Sequence, residues 1–226
     1  MYYIKQTLVT IVCFIGVILH SQNDFEGLGE TAIALNHEAT SNYKMNFALR
    51  SRYYIHREPK FSFETRQLDF VHFSTLNLDY NHSISGGIQY RLREVIDGGS
   101  NELRLTQQFN YTKKSEAMRF GHRVRFEQRI LEQLTIFRSR YRFALDIPLN
   151  GEKLDVGERY FVISMETLLS NGRLIKPELD HRTTAQLGWL ISEKLKLQLG
   201  LEYRFESLNI SIEEKLFILT SFILKV

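Results

Sequence analysis

The chain has 226 residues, 43% of them hydrophobic and 24% charged, with a formal net charge of +3 at pH 7. That length suits one domain, and only three prolines and thirteen glycines exclude a collagen-like or disordered chain. So small a positive surplus does not by itself indicate a nucleic-acid partner, which leaves the arrangement of the charges to carry the information.

The first residues, MYYIKQTLVTIVCFIGVILHSQ, place Lys5 ahead of an apolar run from Leu8 to Leu19, followed by His20, Ser21 and Gln22. This is the layout of a signal peptide, and the run is short for a membrane-spanning helix. We read 1–21 as a signal peptide cleaved after Ser21, with a retained anchor as the alternative, and 22–226 as one domain. The single cysteine, Cys13, falls inside the leader. The exported part therefore has neither disulfides nor thiolate metal sites. Gly27, Gly29 and Ala32 mimic a dinucleotide fingerprint, but no strand precedes them. His37 and Glu38 begin a zinc-protease motif that no second histidine completes.

From there polarity alternates with period two. Lys44–His56 sets Met45, Phe47, Leu49, Tyr53 and Ile55 against Asn46, Arg50 and Arg52. Ser83–Arg93 sets Ile84, Ile88, Tyr90 and Leu92 against Ser85, Gln89, Arg91 and Arg93. Asn101–Tyr111 sets Leu103, Leu105, Phe109 and Tyr111 against Glu102, Arg104, Thr106, Gln108 and Asn110. In Arg119–Ile130, RFGHRVRFEQRI, the charged Arg119, Arg123, Arg125, Glu127 and Arg129 would scatter around a helix but share one face of a strand. Thr135–Ile147 repeats this with Arg138, Arg140, Arg142 and Asp146, and Leu195–Glu206 alternates throughout, with Glu202 and Arg204 on its polar face. Weaker alternation spans 28–36, 66–80, 158–169, 181–191 and 213–226. Turn signals stand at Asn81-His82, Asp97-Gly98-Gly99, Lys113-Lys114-Ser115, Asn150-Gly151, Asn171-Gly172 and Ser192-Glu193-Lys194.

These are about eleven strands, longer than the usual ~5–6 residues and suited to the ~9–11 needed to cross a bilayer at a tilt. The fold expected is all-β, an antiparallel up-and-down transmembrane β-barrel of about 10–12 strands. Bacterial barrels usually have even counts, so one candidate is expected to be split or spurious, giving ten or twelve. An arginine facing lipid at mid-bilayer costs ~2–4 kcal/mol, so the arginines are expected to face the lumen and the apolar and aromatic residues to face lipid.

Two ladders, Arg123, Arg125 and Arg129 beside Arg138, Arg140 and Arg142, define the candidate site. With Glu102, Arg104, Glu127, Asp146, Glu166, Glu202 and Arg204 they form a lumen charge network, read either as paired charges filling a narrow lumen or as an anion-attracting lining. His72 and Ser74 share one face of a strand and resemble a fragment of an outer-membrane hydrolase site; the alternative is a histidine at the membrane edge, as for His122 and His181. No catalytic, cofactor or metal residue set emerges. Nucleic-acid binding is rejected because the basic residues alternate inside strands and come with glutamates.

Arg123-x-Arg125-x-Glu127-Gln128-Arg129, then Arg138-x-Arg140-Tyr141-Arg142 and Ile147-Pro148-Leu149, preceded by Asn101-Glu102-x-Arg104 and Gln107-Gln108, resembles the Domain of Unknown Function 2490 family (DUF2490). The resemblance implies a small exported outer-membrane β-barrel of the Bacteroidetes type, and supplies no reaction, ligand or catalytic residue. The expected role is a narrow or gated anion-preferring passage or a structural envelope protein, with a lipid- or envelope-modifying hydrolase as the alternative. Expected partners are outer-membrane lipid, the barrel-assembly machinery and small anionic solutes. The chain ends Phe222-Ile223-Leu224-Lys225-Val226, not on the terminal aromatic residue usual in such barrels.

Overall fold

The structure is a computed structural model that describes residues 26–57, 60–115, 118–173 and 175–226. The leader read at 1–21 lies outside the described residues. In chain order the elements are β1 (Glu26–Glu38), β2 (Tyr43–Arg57), β3 (Lys60–Phe61), β4 (Thr65–Asn77), β5 (His82–Leu92), the one-turn helix α1 (Glu94–Asp97) and β6 (Glu102–Ser115), followed by β7 (Met118–Ile130), β8 (Thr135–Pro148), β9 (Arg159–Gly172), β10 (Ile175–Ser192), β11 (Leu195–Glu206) and β12 (Glu213–Lys225). β3 only flanks β2. The other eleven strands form a closed wall, each hydrogen-bonded to its neighbours in sequence and β1 to β12.

The closure corrects two expectations. All eleven strands are real, and the barrel is antiparallel everywhere except at one seam. Strands that alternate in direction point the same way at first and last when their number is odd, so β1 and β12 meet in parallel, from Glu26↔Lys215 to Asn36↔Lys225. Three boundaries also move. Lys113, Lys114 and Ser115 belong to β6, which stays paired with β7 as far as Ser115↔Met118. β4 stops at Asn77, and β10 begins at Ile175. Asp79 holds the β4–β5 reversal by accepting bonds from the backbone N–H groups of Asn81 (2.7 Å) and His82 (2.8 Å).

The two faces of the wall have opposite chemistry. Outside, Ile33, Phe47, Phe70, Ile88, Phe126 and Phe137 are each 46–55% exposed. Inside, Glu127 and Asp180 are 1% exposed, Glu102 and Asp69 3%, and Arg204 5%. Hydrophobic burial does not explain that pattern in water, since the apolar surface lies outward and the ion pairs inward. Within the wall, three glycines stand directly opposite aromatic rings: Gly29 under Tyr53, Gly87 under Phe73 and Gly188 under Tyr160. Each ring lies where a Cβ would have to go, so the missing side chain lets the ring lie flat on the neighbouring strand. Among the described residues no helix is long and apolar enough to cross a membrane, a statement that leaves strands untouched.

Candidate functional site

Alternation along β6 to β11 aims one charged residue in two at the lumen, and the hairpin register decides which charges become neighbours. Glu127 accepts from Arg140 at 2.8 Å and lies 3.5 Å from Arg125 and 3.6 Å from Arg104. Glu102 is a second node: both Arg129 (2.8 and 3.0 Å) and Arg104 (2.7 and 3.0 Å) donate to it, and Arg91 stands 3.5 Å away. Glu166 accepts from Arg140 at 2.5 Å. Each carboxylate so placed offsets the cost of keeping guanidinium groups away from bulk water, and the shared acids knit the strands into one network.

Most of the ladder expected from sequence thus comes together: Glu102, Arg104, Arg125, Glu127, Arg129, Arg140 and Glu166 form one network, while Arg138 stands apart from it, 3.7 Å from Asp180 and donating to Ser170 (2.7 Å). Asp146 does not join it and pairs with Arg119 at the rim. Glu202 and Arg204 form their own pair on β11 at 2.5 Å. Sequence reasoning left out Asp69, which binds Arg91 (2.8 and 2.9 Å), Asp180, and Glu30, which binds Arg52 (2.6 Å). The signal available was position: all three are acids on the inward face of strands whose alternation was faint.

Arg123 and Arg142 are a different case. They stand directly opposite each other on β7 and β8, and neither has a carboxylate within 4 Å among the described residues. Arg123 donates only to Asn110 Oδ1 (3.1 Å). Glu166 is the register partner of both Arg142 and Arg182, yet its carboxylate turns to Arg140. The Nε atoms of Arg142 and Arg182 are consequently buried without a hydrogen-bond partner.

The two ends of the lumen differ. At the α1 end, Leu28, Tyr54 and Phe217 fill the interior and are at most 3% exposed. Arg204 lies over the Phe217 ring (3.7 Å) and the Tyr54 hydroxyl reaches Asp97 of α1 (3.4 Å). A plugged or gated lumen was the expectation; that apolar residues would fill one end of it was not. At the opposite end a cavity of about 730 Å³ opens among Asn46, Thr75, Arg119, Lys194, Lys196 and Lys225. Lys225 and Lys44 share Glu38 (3.0 and 2.9 Å), whereas Lys194 and Lys196 have no carboxylate within 4 Å among the described residues, although Glu193 lines the same cavity.

On the outer face, His72 Nε2 lies 3.1 Å from Ser74 Oγ, and the Tyr43 hydroxyl donates to the same Oγ at 2.9 Å. The Phe47 ring stacks on His72 at 4.4 Å, and His72 Nδ1 is buried without a partner, where a hydrolytic triad would place an acid. His122 bonds the Tyr141 hydroxyl at 2.8 Å, and His181 sits between Thr167 (3.3 Å) and Thr183 (3.4 Å). No group of three metal-ligating side chains gathers among the described residues.

Fold and site together define a closed β-barrel with a charged lumen and an apolar outside. The chain belongs to the family described as "Protein of unknown function (DUF2490)", whose model matches residues 31–211. No curated protein and no solved structure matches it.

Proposed function

We propose that the protein is a bacterial outer-membrane β-barrel whose narrow lumen, plugged at one end, acts as a gated, anion-preferring compartment. One observation carries the reading: the wall is inverted all the way round, with half-exposed aromatic and aliphatic side chains outside and arginine–carboxylate pairs inside. A closed barrel satisfies every wall backbone group without water, as a hydrocarbon environment requires. The outer face also carries an aromatic cluster at the vestibule end, where Phe109, His82, Tyr111, His122 and Phe143 follow one another at centroid distances of 5.0–5.9 Å. Such belts mark the membrane–water boundary. Outer-membrane lipid and the barrel-assembly machinery are the partners this reading implies.

Anion preference follows from the arginines that outnumber their acids near Arg123 and Arg142. Eleven strands stand between the eight that side chains fill and the sixteen that leave an aqueous channel, and the Leu28–Tyr54–Phe217 plug narrows the path further. The lipid-hydrolase alternative lacks an acid on His72, and its serine is already held by Tyr43. In planar bilayers the protein is expected to give small, anion-selective conductance that rises when Tyr54→Ala and Phe217→Ala remove the plug. Arg123→Glu with Arg142→Glu is expected to reverse the selectivity toward cations. A large unselective conductance, or cation preference in the unaltered protein, would overturn the reading.

A further inference from the structure

We infer that the lumen holds a specific binding site for a small oxyanion of the phosphate class, built on Arg123 and Arg142 and entered from the vestibule end. The inference rests on the anion-preferring reading above and goes beyond it by naming a resting site and its chemistry.

The register sets out the site. One rung of lumen residues runs Asn110, Arg123, Arg142, Glu166, Arg182, Arg204 across β6 to β11. Four of these six side chains are cations and one is an acid. Arg204 has Glu202 and Glu206, while Glu166 is taken by Arg140 from the next rung. Arg123, Arg142 and Arg182 are left, and Arg50 adds its charge to Arg123 from β2. Like charges directly opposite on neighbouring strands repel, and a buried guanidinium with an unbonded Nε loses hydration without compensation. The arrangement is stable only if something anionic enters or water fills the space, and guanidinium forks favour oxyanions, which accept two parallel N–H bonds from each.

Room for the ligand lies on the rim side of the pair. The next lumen positions are Gly121 and Ala144, opposite each other on β7 and β8. A Cβ built on Gly121 would meet nothing within 4 Å except Ala144, at 3.9 Å, so a side chain could be added there without displacing a neighbour. Two residues further along β7 comes Arg119, which lines the vestibule of about 730 Å³, where five cations, Lys44, Arg119, Lys194, Lys196 and Lys225, stand against two acids, Glu38 and Glu193. The route from solvent is therefore positive at its mouth, open at Gly121 and Ala144, and floored by two unpaired arginines. Behind them the Glu127 and Glu102 nodes are neutralised, which stops a small anion at the first unpaired rung.

The test is calorimetric titration of inorganic phosphate into the full chain, folded in detergent, with chloride as the comparison. Saturable binding of phosphate at one site is expected, with no matching response to chloride. Arg123→Gln with Arg142→Gln is expected to weaken it at least about tenfold, as loss of charge-assisted bidentate contacts does. Gly121→Leu, which leaves every arginine in place and fills the recess, is expected to weaken it comparably, while Arg119→Gln at the rim keeps affinity within about twofold. Phosphate is also expected to raise the unfolding midpoint of the unaltered protein and not of the double variant, which stays folded because it loses a repulsion. Binding kept within twofold in the double variant, or no saturable binding by the folded protein, overturns the site. Absence of binding beside anion-selective conductance overturns the site alone; binding in a barrel that never conducts supports the site and overturns only the passage.

Discussion

Glu127, 1% exposed, stands within 4 Å of three guanidinium groups, those of Arg140, Arg125 and Arg104. Its neutralisation leaves three cations facing one another, so Glu127→Gln is expected to destabilise the folded barrel by about 3 kcal/mol, the low end for breaking a buried pair because lumen water relieves part of the cost. Arg142→Gln removes a charge that has no acid and is expected to leave stability unchanged or raise it. Urea unfolding midpoints of the two variants in the same detergent compare them, and an Arg142→Gln loss as large as that of Glu127→Gln would contradict the pairing described. The faces of Arg123, Arg125, Arg138 and Arg140 were legible in the sequence because a period of two leaves a charged residue no other place than the lumen. Their partners were not. Glu166 is opposite Arg142 and Arg182 in register but bonds Arg140, a choice made by side-chain reach across the barrel that no spacing records. The His72–Ser74 contact was legible as a shared face, while the Tyr43 hydroxyl that occupies the serine comes from β2, 31 residues away.

At the scale of the element, the parallel β1–β12 seam distinguishes this barrel from an even-stranded one. Ile33 and Phe222 are register partners across it, both directed outward. In a strand pair their Cα separation suits a disulfide, so Ile33→Cys with Phe222→Cys, in a chain whose single native cysteine is replaced by serine (Cys13→Ser), is expected to form an intramolecular crosslink on oxidation. The shifted pair Ile33→Cys with Ile218→Cys is expected not to, because Ile218 faces Gly29. Crosslinking of the shifted pair, seen by non-reducing gel mobility, would contradict the closure. Long strands such as Leu195–Glu206 were readable residue by residue, since one face is apolar and the other polar over their whole length. Parity was not readable: alternation reports which way each side chain points, and nothing in it says whether the last strand meets the first head to head or head to tail. Lys113, Lys114 and Ser115 looked like a turn because all three are polar, yet they are the exposed tip of β6, where the strand runs on with neither face apolar. The Leu28–Tyr54–Phe217 plug was hidden for a related reason. Leu28 faces Tyr54 across the β1–β2 hairpin, but Phe217, far away in sequence, joins them only when the seam closes.

The whole molecule is held by a wall whose backbone hydrogen bonds are complete around the circumference, with charge inside and hydrocarbon outside. In water that inversion would leave a continuous apolar belt exposed; in a bilayer the belt is buried and most of the arginines stay paired with carboxylates in the lumen. The chain offers one direct probe of this arrangement. Trp189, the single tryptophan, lies on β10 next to Leu197 in register and one position beyond the lumen-facing Gly188. Refolded into vesicles, the protein is expected to show Trp189 fluorescence quenched by lipids brominated on their acyl chains and protected from iodide in the water. Quenching by iodide with indifference to brominated lipid, or a folded monomer that stays in water without detergent, would contradict an outer-membrane barrel.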